Sequence, residues 1–193
     1  MNLRETYNKI AKDWHRDHQR DDWWVEGTDK FIELISSGGK VLDVGCGGGT
    51  KSAYLIRKGL KVTGIDFSEK MIEIAEKEVP AGKFIQIDAG EIDSLNQKFD
   101  GIFMQAFLLH IPKNKVEGIL RRVIGRLRSR GYIYIAVKEK KDGQSEEETV
   151  EENDYGYSYE RFFSYFTVEE IKSILGNLRL DVVYESISPP GKT

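Results

Sequence analysis

Cysteine is almost absent from this chain. Among 193 residues only Cys46 occurs, so an intrachain disulfide is impossible and a cysteine-rich metal site is excluded. Histidine is scarce too, with three residues. No apolar run approaches the roughly 20 residues that a membrane-crossing helix needs. The first residues, MNLRETYNKIAKDW, hold no apolar core of the kind that marks a secretion signal. No excess of positive charge exists either; the formal net charge is −3. A nucleic-acid or anionic-membrane partner is therefore not expected. These absences favour a cytoplasmic protein, monomeric or weakly dimeric, with no metal. The length and a hydrophobic content of 39% suit one domain spanning 1–193.

What is present is rhythm. Tyr7, Ile10, Ala11 and Trp14 fall at i, i+3, i+4 and i+7, one face of a helix. Phe31, Leu34 and Ile35 repeat this after Thr28, a residue suited to a helix N-cap. A helical cap over 1–37 is expected. From 38 to 139 short β-rich runs at 40–44, 61–66, 83–88, 99–105 and 132–139 alternate with helical stretches near 50–58, 68–78 and 113–127. That alternation implies an α/β fold: a doubly wound, mostly parallel sheet with helices on both faces. Segment 140–166 is acidic and then aromatic. Its run GQSEEETVEEND (143–154) reads as a mobile surface loop. In 167–193, Thr167 and Glu170 form a capping-box pattern flanked by Phe166 and Ile171, and LRLDVVYESI (178–187) reads as a sixth strand.

The glycine-rich turn VLDVGCGGGT follows the first strand. It is not a dinucleotide fingerprint, because Thr50 occupies the sixth position, where glycine or alanine is needed. It is not a P-loop, because Lys51 follows the threonine rather than preceding it. Asp43, two residues before Gly45, would repel a phosphate but suits an ammonium group. The helix start beyond the loop can receive a carboxylate. Asp66 ends the second strand, where a carboxylate can take both hydroxyls of a ribose. Asp88 ends the third. Both carboxylates could instead be ordinary strand-end caps.

These features over 40–139, with LDVGCGGG matching the D-x-G-x-G-x-G pattern, resemble the class I S-adenosylmethionine-dependent methyltransferases of small-molecule type, with a Rossmann-like fold. The resemblance implies S-adenosyl-L-methionine as cofactor and S-adenosyl-L-homocysteine as product. It implies that Asp43, Gly45, Cys46 and Gly47 hold the methionyl part and Asp66 the ribose, with Phe67 and Met71 beside the adenine. Asp88 and the Ala89 amide would meet the adenine edge, and the main chain near Gln105 the methionyl ammonium. Tyr7 and Trp14 would face the cofactor from the cap, or would pack the helix. The family's final antiparallel strand, which lies between the fifth and sixth, has no counterpart here.

His110, just past the fourth strand, is the candidate general base; it could equally pack the loop before Pro112. YGYSYERFFSYF (155–166) carries seven aromatics. Tyr155, Tyr157 and Tyr159 alternate and with Arg161 and Phe107 suggest a pocket for a small, partly anionic or aromatic acceptor. An RNA 5-methylcytosine enzyme is excluded, since Cys46 lies in the cofactor loop. An amino-methylating DNA enzyme is excluded, since QAFL stands where Asp/Asn-Pro-Pro-aromatic belongs; SPPG (188–191) lacks the aromatic. The expected activity is methyl transfer to an oxygen or nitrogen of a small molecule. A cofactor-binding module without catalysis and an aminopropyltransferase are the alternatives.

Overall fold

The computed structural model describes residues 2–187. Helix α1 (Leu3–His18) opens on a capping box in which Asn2 and Glu5 bond each other's backbone amides. Its buried face is Thr6, Tyr7, Ile10 and Ala11. Helix α2 (Val25–Leu34) starts at Trp24, four residues before the expected cap. Thr28 lies inside it, and its hydroxyl donates to the Trp24 carbonyl at 2.8 Å. The earlier start follows from burial: Trp24 and Phe31 are i and i+7, share one face, and are 5% and 3% exposed.

Five parallel strands form the sheet: β1 (Lys40–Val44), β2 (Lys61–Asp66), β3 (Lys83–Gln86), β4 (Phe99–Gln105) and β5 (Leu127–Ala136), in spatial order β3-β2-β1-β4-β5. The central strands carry Val41, Leu42, Ile102, Phe103 and Met104, all fully buried, because both faces are covered. Helices α3 (Thr50–Arg57), α4 (Glu69–Glu78) and α5 (Lys113–Ile124) connect consecutive strands. One core holds Leu42, Ile102, Val116 and Leu120. The opposite core holds Phe31, Val41, Leu55 and Phe103.

Boundaries shift where local chemistry intervenes. Strand β3 stops at Gln86 because Asp88 caps a 3₁₀ turn, Ala89–Ser94, accepting from the Gly90 amide at 2.7 Å. Helix α5 ends at Gly125, which releases Leu127 into β5 opposite Phe99.

Two expectations fail beyond β5. The acidic run is not a loop throughout: β6 (Glu147–Glu152) pairs antiparallel with β7 (Tyr159–Ser164). Its charges are matched rather than merely solvated. Arg161 Nε and Nη2 each bond Glu152 at 2.5 Å, and the Lys113 amide donates to Glu147 at 2.6 Å. The expected sixth strand does not form. After α6 (Val168–Asn177), which opens on the Thr167–Glu170 capping box, residues 180–187 join no strand, although Glu185 pairs with Lys172 at 2.6 Å. Val182, Val183, Tyr184 and Ile187 are 41–66% exposed. Among the described residues the parallel sheet ends at β5, with no further strand beside it to receive this segment. The SPPG stretch lies outside them.

Candidate functional site

The glycine loop leaves β1 in left-handed backbone at Gly45 and Gly49, with φ of +74° and +85°. Only glycine adopts these without strain. A side chain at Gly45 would also strike the Phe107 ring at 2.9 Å. The loop is pinned to β2: the Gly45 and Cys46 amides donate to the Ile65 carbonyl at 2.8 and 3.0 Å. The Gly47 amide donates to Asp66 Oδ2 at 3.0 Å, and the Ser68 amide to Oδ1 at 2.8 Å. Asp66 thus fixes the loop. Burial pushes its carboxyl up to about 6, against the pull of those amides. Asp43 is 2% exposed and accepts from the Ser52 hydroxyl at 2.6 Å. Burial pushes it to about 6 as well, opposed by Ser52 and then Lys51. Cys46 is buried and its thiol is driven well up by burial, so it is inert.

Over this loop lies α1. Tyr7 meets Trp14 edge-on at 6.2 Å, Phe67 at 5.9 Å and His110 at 5.4 Å. The helix is stitched to the hairpin. Thr6 donates to the Glu160 carbonyl at 2.9 Å, Lys9 to the Ser158 carbonyl at 2.8 Å, and Tyr157 to Asp13 at 2.8 Å. Between cap and loop runs a cleft of about 1270 Å³ that continues along β5. Tyr7, Trp14, Asp43, Gly45, Cys46, Gly47, Asp66, Phe67, Met71, Gln105, Phe107, His110 and Arg161 all line it.

Five expected residues do not. Asp88 is exposed and spends Oδ1 on its own turn, while Ala89 sits in the hydrophobic core. Tyr155, Tyr157 and Tyr159 gather as expected, with Tyr155 and Tyr159 stacked at 5.5 Å. They pack against Tyr7, Ile10 and Met71 and lie off the cleft wall. The turn between β6 and β7 curls Tyr155 and Tyr157 back onto α1, so they are not side by side on an extended strand.

His110 makes two hydrogen bonds. Nδ1 lies 2.8 Å from the Phe162 carbonyl and Nε2 lies 2.7 Å from the Tyr7 hydroxyl. A carbonyl only accepts, so Nδ1 carries the proton and Nε2 accepts from Tyr7. Burial lowers the imidazole to about 3; the Phe162 bond opposes this, and Arg161 and Lys138 add to it. The ring is neutral, with its free lone pair already engaged.

Two residues of this region, Lys51 and Trp24, were not singled out in the sequence. Lys51 Nζ lies 5.5 Å from the Trp24 ring centre and 6.0 Å from that of Trp14. Burial lowers its pKa, against the pull of Asp43 and Asp21, and no residue among those described pairs with it. The indole N–H groups of Trp14 and Trp24 are buried without a partner, as is Gln105 Oε1. Buried groups of this kind are costly unless a ligand meets them. A cation with two donors, facing an orphan acceptor and Asp43, matches an amino acid's carboxylate and ammonium. The adenine and ribose have Phe67, Met71 and Asp66. The residues present therefore fit S-adenosylmethionine.

Comparison with known proteins agrees. Residues 41–131 match the methyltransferase-domain family. The ubiquinone biosynthesis O-methyltransferase of Pelagibacter ubique is 28% identical over 137 residues, covering 69% of this chain and 55% of that one. The chain spans about half the length of the curated relatives it matches. Magnesium protoporphyrin IX methyltransferase from Synechocystis PCC 6803, solved with bound cofactor, superposes with a TM-score of 0.67 at 19% identity, over 98% of this chain and 89% of that one. The DhpI–SAM–HEP complex gives 0.72 at 19% identity, over 91% and 86%. At these identities the structures speak for the fold.

Proposed function

We propose that this chain, which carries a methyltransferase domain on the class I S-adenosylmethionine-dependent fold, binds S-adenosylmethionine at the carboxyl ends of β1, β2 and β4 and transfers its methyl group to a small molecule. One observation carries the reading. The unpartnered buried groups around the glycine loop, two indole N–H groups and Gln105 Oε1, together with the half-buried ammonium of Lys51 beside the indoles, complement the methionyl end in charge and sign.

When bound, the cofactor supplies a methyl already activated on a sulfonium. The chain's residues then position and desolvate. Asp66 holds the loop and offers remaining lone pairs to ribose hydroxyls. Gln105 and Asp43 take the ammonium, and Lys51 with the indoles takes the carboxylate. Tyr7, Trp14 and Phe67 exclude water from the transfer path. His110 is a positioning residue: it orients the Tyr7 hydroxyl and, with so low a pKa, takes no proton near pH 7. An acceptor that must lose a proton therefore loses it to solvent or arrives ionised.

The aminopropyltransferase alternative fits less well, because decarboxylated cofactor would leave Lys51 without its anion. Thermal melts and titration calorimetry test the reading. S-adenosylhomocysteine at a hundredfold its dissociation constant should stabilise the fold by about 2.7 kcal/mol and raise the midpoint by roughly 5–10 °C. No shift and no heat would remove the cofactor. Binding with no turnover on any fraction of a small-metabolite extract would leave a binding module instead of an enzyme.

A further inference from the structure

We propose that the methyl acceptor carries a carboxylate, held at the β5–β7 end of the cleft by Lys138 and Arg161 across the ring of Phe163. This rests on the methyl-transfer reading and names the substrate class for it. Arg161 and Phe163 are two apart on β7 and so share one face, and both line the cleft. Lys138 lies just past the end of β5 and lines it too. Lys138 Nζ stands 4.4 Å from the centre of the Phe163 ring, and Arg161 Cζ stands 5.0 Å from it. Two cations share one ring.

Arg161 spends Nε and Nη2 on Glu152, and its guanidinium also faces the Tyr7 hydroxyl. The Lys138 ammonium has no hydrogen bond or ion pair among the described residues, although its main-chain carbonyl accepts from the Phe166 amide at 3.0 Å. Its neighbours contrast with it: Lys113 pairs with Glu170 at 2.6 Å and Lys140 with Glu146 at 3.2 Å. Carboxylates are thus abundant on this side of the molecule, yet none reaches Lys138. Burial and then the like charge of Arg161 depress its pKa, the signature of an ammonium in want of an anion. Glu148 and Glu152 pull the other way but stay beyond ion-pair distance.

The rings set the rest of the acceptor. Phe163 lies 5.1 Å from His110, which lies 5.4 Å from Tyr7, which in turn lies 5.9 Å from Phe67. A row of rings runs from the cation pair to the cofactor side. Phe107 and Tyr165 widen the wall. A flat body with its carboxylate at Lys138 presents its opposite end, the nucleophile, near Tyr7.

Benzoate and benzamide, which share shape and differ in charge, test this on protein saturated with S-adenosylhomocysteine. Calorimetry should find benzoate about tenfold or more tighter than benzamide. Lys138→Met should erase that preference and Lys138→Arg should keep it, both with unchanged affinity for S-adenosylhomocysteine. Equal affinity for the two probes, no binding of benzoate, or a preference that survives Lys138→Met would each overturn the proposal. If wild-type protein binds no S-adenosylhomocysteine, the cofactor reading fails first and this one with it.

Discussion

Lys51 offers a direct test of the proposed cofactor reading, because it should bear only on ligands that carry a carboxylate. Lys51→Met should weaken S-adenosylhomocysteine binding by roughly ten- to a hundredfold, the loss of one charge-assisted bond. It should leave 5′-methylthioadenosine, which lacks the amino-acid end, almost unaffected. Equal losses for both ligands would mean that Lys51 only packs the loop. Asp43 and Asp66 make affinity depend on pH. Both rise from an ordinary 3.8 to about 6 in the fold. Between those values the folded chain holds more protons than the unfolded one. The two carboxyls therefore make the ligand-free fold less stable as pH rises from about 4 to 6. His110 acts oppositely: its 6.5 falls to about 3, so its contribution grows with pH over that window. A bound ammonium favours ionised Asp43, so affinity for S-adenosylhomocysteine should climb from pH 5 to 7 and then level. A flat profile by calorimetry would place no titrating carboxylate at the site. Asp43, Gly45 and Asp66 were legible because their spacing repeats a pattern with a chemical reason. Lys51 was not. A lysine in the first turn of a helix reads as solvated until two tryptophans from other elements are seen to enclose it. Asp88 stands off the cleft because its Oδ1 caps its own turn, which nothing in the chain order shows.

At the scale of elements, His110 is a junction between α1, the end of β4 and β7. His110→Gln should lower the melting temperature and leave turnover per folded molecule within a few-fold of wild type at all pH values. A loss of 10²-fold or more that recovers at high pH would make it a general base after all. The β6–β7 hairpin should show slow amide exchange along 147–152 and 159–164, with fast exchange confined to the 153–158 turn. Uniformly fast exchange over 143–160 would restore the mobile loop that the charge run suggests. That loop was a reasonable reading of composition, since acidic runs are commonly solvated. The pairing that overrides it is supported by Arg161, across the hairpin from Glu152, and by the amide of Lys113, distant in sequence from Glu147. The capping boxes of α1 and α6 needed no such partners, and the one over Thr167–Glu170 was readable directly.

At the scale of the whole molecule, the parallel sheet was legible because each strand is followed by its own crossover helix. The sixth strand was not, because a strand exists only when another accepts its ladder, and 178–187 has the composition without the partner. The stitching of α1 to the hairpin has a kinetic consequence. Helix and hairpin share three hydrogen bonds, and the Tyr7–His110 bond ties the helix to the end of β4, so helix and hairpin should move as one body. In the reading proposed above, that body covers the cofactor at one end and carries Arg161, the cation offered to the acceptor's carboxylate, at the other. If the two ligands share a single door, the one seated deeper should enter first and leave last. Steady-state kinetics should be compulsorily ordered, with S-adenosylhomocysteine competing against S-adenosylmethionine alone, and the methylated product competing against neither. A random-order pattern would mean that the cap and the hairpin open independently. Under the shared door, the spent cofactor is the last thing the protein lets go, and the rate of turnover becomes a measure of how fast one seam of hydrogen bonds parts.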